Sequence, residues 1–178
     1  DVTRTTCSNK VSIDIKNNFT RVLKGHIAVY LCDLSKKYNG HLIDKLARKP
    51  LQNVGLDYSH GTGHGVGFFL NVHEGPQSIS KFNRVKLKEG MILSNEPGYY
   101  LKNKYGIRIE NLIYIEKIKN KLFFRNLTYA PIDLDLINFK LLSKKERNYL
   151  FKYHLNVYSR ISKYLNIKEK KWLLSLIK

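Results

Sequence analysis

The stretch YGIRIENLIYIEK, residues 105–117, carries an apolar or amide side chain at every second position. Side chains of a β-strand alternate between its two faces, so one face is expected to hold Ile107, Ile109, Asn111, Ile113 and Ile115. The opposite face then holds Arg108, Glu110, Leu112 and Tyr114. This pattern predicts a sheet strand with one buried apolar face. The two charged side chains beside that face need polar partners if they are buried too.

A glycine-rich stretch precedes this strand. Residues 60–67, HGTGHGVG, place His60 and His64 four positions apart. A helical zinc site has the same spacing, but each intervening glycine costs a helix about 1 kcal/mol relative to alanine. We therefore interpret residues 60–67 as a loop within an antiparallel sheet that extends over residues 58–118, and residues 121–133 as a further strand and exit loop.

Helices are predicted on both sides of this sheet region. Apolar residues recur at helical spacing over residues 18–35, with Asn17 or Asn18 as N-cap, and again over residues 41–53. Pro50 is expected to kink or interrupt the second helix, and Gly55 suits its C-terminal stop. The sequence LSKKYNG, residues 34–40, is expected to form a surface loop.

The C-terminal region returns to helical periodicity. SKKE, residues 143–146, is a capping box, and a helix is predicted to follow it to about residue 165. KEKKWLLSLIK, residues 168–178, predicts a last helix with Trp172 as its anchor. Together these patterns indicate an α+β fold.

Composition excludes some classes of protein and leaves others open. The 178 residues fit one domain or a piece of a larger one, and no apolar run approaches the roughly 20 residues of a membrane span. The net charge of +18 is compatible with nucleic-acid or anionic-membrane binding. The basic residues are dispersed, however, which favours solvated surface lysines. Cys7 and Cys32 form no metal or disulfide pattern, as is typical of a reducing compartment. A start at Asp1 rather than methionine suggests a fragment or a processed product.

Four residues are candidate metal ligands: Asp1, His64, Glu96 and Glu110. Carboxylates with an imidazole suit a pair of hard divalent cations, and such an oxygen-rich set suits manganese better than structural zinc. The alternative for an acid such as Glu110 is a surface or edge-protecting charge. His60 and His73 are candidates for substrate contact, whereas His26, His41 and His154 lie in helical segments and are interpreted as structural or exposed.

Five stretches together resemble the catalytic domain of the Xaa-Pro aminopeptidases (aminopeptidase P), within the pita-bread metallopeptidases. They are DVTRT, VLKGHIA, GLDYSHGTGHGVGFFLNVHEGPQSIS, GMILSNEPGYY and YGIRIENLIYIEK. The resemblance covers essentially the whole chain. It implies a partial pita-bread (creatinase/aminopeptidase) domain over residues 1–130, with a curved antiparallel sheet flanked by helices. It also implies a helical C-terminal extension over residues 131–178, packed on the same domain.

The resemblance also assigns roles to individual residues. Asp1 (bridging both ions), His64, Glu96 and Glu110 correspond to metal ligands, and the expected cofactor is two divalent ions, Mn²⁺. His73 and Glu96 correspond to catalytic residues. Residues expected to bind or surround the substrate are His60, His73, Tyr100 and Arg108.

The implied function is removal of the N-terminal residue from peptides with proline in second position, by attack of a metal-bridging hydroxide. A cytoplasmic homodimer without nucleic-acid or membrane partners is expected. The family's first aspartate ligand and a further histidine fall upstream of DVTRT, so either the sequence is partial or its product cannot assemble a normal dinuclear centre. Two alternatives follow: a prolidase-like dipeptidase, and a non-catalytic pita-bread binding module with a basic surface.

Overall fold

The computed structural model describes residues 1–36, 39–69 and 71–177. Four α-helices lie in these ranges: α1 (Ile13–Tyr30), α2 (Gly40–Gln52), α3 (Lys144–Ile161) and α4 (Ile167–Ser175). Seven strands lie between α2 and α3: β1 (Gly63–His64), β2 (Ser78–Ile79), β3 (Ile92–Asn95), β4 (Gly98–Leu101), β5 (Tyr105–Arg108), β6 (Asn111–Ile118) and β7 (Lys121–Asn126). The chain is α+β, as predicted.

Strand β6 lies at the centre of the sheet. It pairs antiparallel with β3 on one side and with β7 on the other. The β1–β2 pair joins β3 through the bridge between Gly65 and Leu93, and β4 and β5 form a separate hairpin. The isoleucine face is buried as predicted, with 1% exposure or less along its whole length. The strand is not continuous, however, because regular pairing stops after Arg108 and resumes at Asn111.

Helix α1 differs in its bounds from the predicted helix over residues 18–35. It begins at Ile13, because the Ser12 side chain accepts a hydrogen bond from the backbone of the first turn, and it ends at Tyr30. The expected N-caps Asn17 and Asn18 lie inside the helix. Their side chains contact distant parts of the chain instead: Asn138 donates to Asn17, and Asn18 donates to the hydroxyl of Tyr105. Tertiary hydrogen bonds therefore explain these two asparagines.

Helix α2 ends where Gly55 was expected to stop it. Gly55 has φ of +73°, its N–H donates to the carbonyl of Gln52, and the N–H of Leu56 donates to the carbonyl of Leu51. This pair of bonds is a Schellman motif, which favours glycine at the left-handed position. Pro50 does not interrupt the helix, which continues to Gln52.

The C-terminal helices pack on the same hydrophobic cluster as the sheet. Tyr153 and Val157 of α3 share this cluster with Phe19 of α1 and with Ile107 and Ile109 of the sheet region. The Ser143 capping box at the start of α3 is present as predicted.

The expectation for Trp172 was wrong, because its side chain is 59% exposed whereas Leu173, at 2%, is the residue of α4 that enters the core. The residues before α2 also differ in part from a surface loop. Leu34 is buried in a short 3₁₀ turn, while residues 37 and 38 of LSKKYNG lie outside the described residues.

Candidate metal centre

The four candidate ligands come from four separate segments that meet at one edge of the sheet. His64 ends β1, Glu96 follows β3, and Glu110 lies between β5 and β6. The bridge between Thr3 and Glu110 brings the first residues of the chain to this edge, and Asp1 with them. Residues more than one hundred positions apart therefore meet because Thr3 pairs with the interrupted strand.

The imidazole of His64 lies at the centre of this group. Its Nε2 is 3.3 Å from Oδ2 of Asp1 and 3.4 Å from Oε1 of Glu96. Potential ligand atoms of His64, Glu96 and Glu110 lie within 4.8 Å of one another, and so do those of Asp1, His64 and His73. The two groups overlap at His64. All four residues that the sequence indicated as ligands are therefore brought together, with His73 beside them.

The hydrogen-bond partners of His64 fix the direction of its lone pair. Nδ1 lies 3.0 Å from the carbonyl of Gly65, which can only accept, so Nδ1 carries the proton. The lone pair of Nε2 then faces the carboxylates of Asp1 and Glu96. The two carboxylates and the Nε2 lone pair repel one another unless a cation, or a proton on Nε2, lies between them. Oxygen and imidazole donors that converge in this way fit divalent ions such as Mn²⁺.

Neighbouring hydroxyl groups orient the two glutamates. Glu96 and Glu110 are only 9% and 4% exposed. The hydroxyl of Ser94 donates to Oε1 of Glu96 at 2.9 Å and accepts from the backbone N–H of His64 at the same distance. The hydroxyl of Thr3 donates to the carboxylate of Glu110. Such partners around metal ligands usually set their orientation and basicity.

The three other residues predicted to surround the substrate form one hydrogen-bonded chain. Nε of Arg108 donates to the hydroxyl of Tyr100 at 2.8 Å, and this hydroxyl lies 2.9 Å from Nε2 of His60. Nδ1 of His60 faces the carbonyl of Gly61 at 2.7 Å, so Nδ1 is the protonated nitrogen and Nε2 accepts from Tyr100. These hydrogen bonds therefore hold His60 in one tautomer and one orientation.

Arg108 also links the hydrogen bonds of Tyr100 and His60 to the candidate metal ligands. One of its terminal nitrogens lies 3.7 Å from Oε2 of Glu96. Burial opposes the charge of Arg108, but its hydrogen bond with Tyr100 and the nearby carboxylates outweigh burial and raise its pKa. Arg108 does not pair with Glu110, its neighbour on the sequence-predicted face. It lies instead beside Glu96, as a fixed positive charge.

His73 lies at the exposed edge of the cluster. Its ring centroid is 3.9 Å from that of His64, with an interplanar angle of 49°. The side chain is exposed to solvent, unlike those of the two glutamates. His73 is therefore placed where it can contact a molecule that approaches the ligands from outside.

A buried arginine that the sequence analysis missed supports the histidine loop. Arg48 on α2 pairs with Asp44 at 2.7 Å and donates to the carbonyls of Tyr58 and His60, each at 2.6 Å. Asp44 in turn accepts from the hydroxyl of Thr62 at 2.6 Å. The i, i+4 spacing of Asp44 and Arg48 was a usable signal, because opposite charges at this spacing pair on a helix. Only the fold shows that the pair supports the loop.

Two glycines of the loop lie in close contact with neighbouring backbone. A Cβ on Gly63 would lie 2.0 Å from the backbone oxygen of Ser94, and one on Gly65 would lie 2.1 Å from that of Glu74. Gly61 has ordinary contacts at 3.5 Å. Gly63 and Gly65 therefore allow β1 and its continuation to lie against neighbouring backbone, which brings His64 next to Glu96.

A cleft of about 520 Å³ borders His60. Its walls are α2, the loop around His60 and the turn at residues 80–82. His60 borders the cleft, while none of the four ligand candidates lines it. The cleft therefore offers space next to His60.

The remaining histidines are structural or surface residues, as expected. His26 and His154 are buried, and desolvation lowers their pKa values to about 3 and about 4. Nε2 of His154 accepts from the backbone N–H of Ile132. His41 lies near the surface, with Nδ1 2.7 Å from the carbonyl of Lys81.

Family models match nearly the whole chain. The model described as metallopeptidase family M24 matches residues 1–117, and the model of the C-terminal region of that peptidase family matches residues 120–177. A probable Xaa-Pro aminopeptidase P of Laccaria bicolor is 43% identical over 91% of this chain and 27% of its own length. Xaa-Pro aminopeptidase 1 of Dictyostelium discoideum is 42% identical over 100% of this chain and 30% of its own length.

Solved structures agree with these matches. An X-prolyl aminopeptidase of Caenorhabditis elegans, described as a cytosolic enzyme with a di-nuclear active site, superimposes with a TM-score of 0.90. It is 38% identical, over 99% of this chain and 31% of that one. A prolidase of Pyrococcus horikoshii matches with a TM-score of 0.65 and 28% identity, over 75% of this chain and 37% of that one. The chain thus spans about a quarter to a third of the length of the curated relatives named here.

Proposed function

The chain belongs to metallopeptidase family M24 and has its pita-bread fold, and from this membership we propose that its parent protein removes the N-terminal residue from peptides with proline in second position. The observation that carries the proposal is that Asp1, Glu96 and Glu110 all lie beside His64, in two overlapping groups. A non-catalytic binding module has no need for two buried carboxylates aimed at an imidazole lone pair, since burying unpaired charges is costly.

Two divalent ions are the proposed cofactor, with Mn²⁺ as the proposed metal and Asp1, His64, Glu96 and Glu110 as the ligands this chain supplies. When bound, such ions supply the Lewis acidity that activates water and polarises a peptide carbonyl. The role of the chain is to hold the ligands rigidly. Three of them come from strand ends, and hydroxyl groups of Thr3 and Ser94 orient two of them.

Glu96 is the proposed proton carrier in addition to its role as a ligand. Its Oε1 accepts from Ser94 and its Oε2 faces Arg108, so each oxygen has a distinct partner. A carboxylate in this position can take a proton from the attacking water and pass it to the leaving nitrogen. Arg108 lies 3.7 Å from this carboxylate and can help to hold it in place.

His73 and His60 are proposed to contact the peptide from two sides. His73 is exposed next to the ligands and can donate a hydrogen bond to the oxygen of the scissile carbonyl. His60, held by Tyr100, borders the cleft and can contact the proline ring. A peptide bond to proline has no N–H, so the site must select proline by shape and ring contact.

The C-terminal region favours the aminopeptidase over the prolidase-like alternative. The C. elegans aminopeptidase covers 99% of this chain, whereas the P. horikoshii prolidase covers 75%. Residues 120–177 also match the C-terminal model of the peptidase family.

A cytoplasmic homodimer is proposed from the resemblance. The helices of the described ranges are too short or too polar to cross a membrane.

The test uses the full protein encoded in frame with this chain, purified and loaded with Mn²⁺. We expect cleavage of an Arg-Pro-Pro peptide after its first residue, and slower cleavage of the dipeptide Arg-Pro. Glu96→Gln keeps the shape of the side chain but removes the proton carrier, and should lower kcat about 10²-fold to 10⁴-fold. The exposed Glu89 provides the matched control Glu89→Gln, which should be fully active.

Two results would contradict the proposal. If the protein loaded with Mn²⁺ cleaves neither substrate, the binding-module alternative is favoured. If it cleaves only the dipeptide, the protein is a prolidase.

A further inference from the structure

We propose that helix α3 of the C-terminal region sets the affinity of the metal site, through a positioning pair formed by Tyr153 and Arg4. This inference rests on the proposed metal centre and goes beyond it, because neither residue is a ligand and Tyr153 belongs to the region matched by the separate C-terminal model. Both residues act through the segments that carry Asp1 and Glu110.

Arg4 joins the first residues of the chain to the segment that carries Glu110. One terminal nitrogen donates to the carbonyl of Thr3 at 2.8 Å and to the carbonyl of Glu110 at 2.7 Å. The other terminal nitrogen donates to the side-chain oxygen of Asn111 at 2.7 Å. The rigid fork of an arginine thus spans two chain segments at once, which a lysine ammonium cannot do in this geometry.

Arg4 also reaches the C-terminal region. Nε donates to the carbonyl of Pro131 at 2.8 Å, and the same terminal nitrogen that donates to Asn111 lies 2.8 Å from the carbonyl of Ala130 and 2.9 Å from the hydroxyl of Tyr153. Arg4 is therefore enclosed by oxygens from three parts of the chain. This terminal nitrogen has two N–H groups for three acceptors, so the acceptors share its hydrogens. Loss of the Tyr153 hydroxyl removes one of these acceptors and also a donor to the carbonyl of Ala130.

Tyr153 closes this network from the side of the hydrophobic core. Its hydroxyl donates to the carbonyl of Ala130 at 2.7 Å, so it accepts from Arg4 and from the amide of Asn111, the latter at 3.3 Å. The ring is buried in the cluster that α3 shares with the sheet region. Burial also raises the pKa of Tyr153, which keeps the hydroxyl protonated and able to donate.

The consequence for the metal site follows from the pairing of Thr3 with Glu110. The N–H of Glu110 donates to the carbonyl of Thr3 at 3.0 Å, and the hydroxyl of Thr3 donates to the carboxylate of Glu110. Arg4 binds both carbonyls of this pair. If its fork is released, Asp1 and Glu110 can move independently, and metal ligands tolerate displacements of only about 0.2 Å.

Tyr153→Phe removes one hydroxyl and leaves the ring in the core. We expect the dissociation constant for Mn²⁺, measured on the metal-free full protein by calorimetry, to rise roughly 10-fold, within the range seen for groups that orient ligands. Arg4→Lys should raise it roughly 100-fold. The KM for the peptide at saturating Mn²⁺ should change less than about two-fold, because the pair does not contact the substrate. A general loss of structure would instead worsen both the dissociation constant for Mn²⁺ and the KM for the peptide.

The matched control is Tyr149→Phe, one turn earlier on α3. Tyr149 is also buried, but its hydroxyl has no hydrogen-bond partner within the part of the chain that the structure describes. This variant should bind Mn²⁺ with unchanged affinity. Unchanged affinity in both tyrosine variants, or an equal loss in both, would overturn the proposal.

A second measurement uses the unaltered protein, so it does not depend on variants that fold. Coupling is reciprocal, so Mn²⁺ should slow hydrogen exchange at the amides of Ala130 and Ile132 and around Tyr153 as well as at the ligand segments. Protection confined to the ligand segments would overturn the inference. If the protein binds no Mn²⁺, the metal-site proposal itself fails. Tyr153→Phe should then still speed exchange at the amide of Glu110, and an unchanged exchange rate would overturn the positioning role.

Discussion

The close approach of β1 and β3 at Gly63 leads to a quantitative prediction. A Cβ at this position would lie 2.0 Å from the backbone oxygen of Ser94 and 2.9 Å from its carbonyl carbon. Carbon and oxygen atoms of this kind are not found closer than 3.0 Å. Gly63→Ala must therefore push the two strands apart by at least about 1 Å, because backbone cannot rotate away as a flexible side chain can.

This displacement acts directly on the candidate ligands. The N–H of His64 donates to the hydroxyl of Ser94 at 2.9 Å, and a shift of about 1 Å takes that pair beyond hydrogen-bond range. The same hydroxyl orients Glu96. We expect Gly63→Ala to destabilise the protein by about 2–4 kcal/mol, from steric strain and one lost hydrogen bond. The affinity for Mn²⁺ should fall roughly 100-fold or more.

Gly61→Ala is the matched control in the same loop. A Cβ there meets its nearest atoms, the carbonyl oxygen of Ile79 and Cβ of Ser80, at 3.5 Å, which is ordinary contact. Its stability should lie within about 1 kcal/mol of the parent. The assays are calorimetric titration of the metal-free protein with Mn²⁺ and chemical unfolding. If Gly63→Ala binds Mn²⁺ as tightly as the parent does, the reasoning from strand contact is refuted.

Three further predictions concern the surroundings of the site. Ser94→Ala should weaken Mn²⁺ binding roughly 10-fold by calorimetry, because Glu96 loses its 2.9 Å partner; unchanged affinity would contradict this role. Tyr100→Phe should raise the KM for an Arg-Pro-Pro peptide more than it lowers kcat, because His60 loses the group that holds it; an effect on kcat alone would contradict this. Burial lowers the pKa of His154 from 6.5 to about 4, so its side chain stays neutral in the folded protein while it becomes protonated in the unfolded chain. This difference contributes about 3 kcal/mol to the free energy of unfolding above pH 6.5, and the contribution is lost as the pH falls to about 4. In chemical unfolding, His154→Gln should lose less of its free energy of unfolding between pH 6.5 and 4 than the parent does. An unchanged dependence of this free energy on pH would refute the assignment.

Local patterns predicted the elements of the fold more reliably than their ends. The isoleucine alternation of residues 107–115 and the Ser143 capping box are both present. Alternation and capping depend on neighbours within four positions, so the sequence displays them directly. Asn17 and Asn18 were misread as caps because an asparagine that caps a helix and one that bonds a distant segment look alike in sequence.

Burial of single residues was harder to predict where an element is amphipathic and short. Trp172 is larger than Leu173, and size suggested that it would be the anchor of α4. The orientation of a nine-residue helix is set by the surface it meets, and that surface favours Leu173. The need for glycine at Gly63 is hidden from the sequence for a similar reason, since the atoms that exclude a Cβ there belong to β3.

The sequence by itself determined the residue types of the candidate site, the family to which the chain belongs, and the alternation of elements that leads to an α+β fold. Only the tertiary structure decided that Thr3 pairs with Glu110, that Arg4 joins their segments to Tyr153, and that Arg48 supports the loop of His60. The physical reason is the range of the interactions. Periodicity and capping act over a few positions, whereas hydrogen bonds between residues more than one hundred positions apart depend on how the sheet brings the segments together.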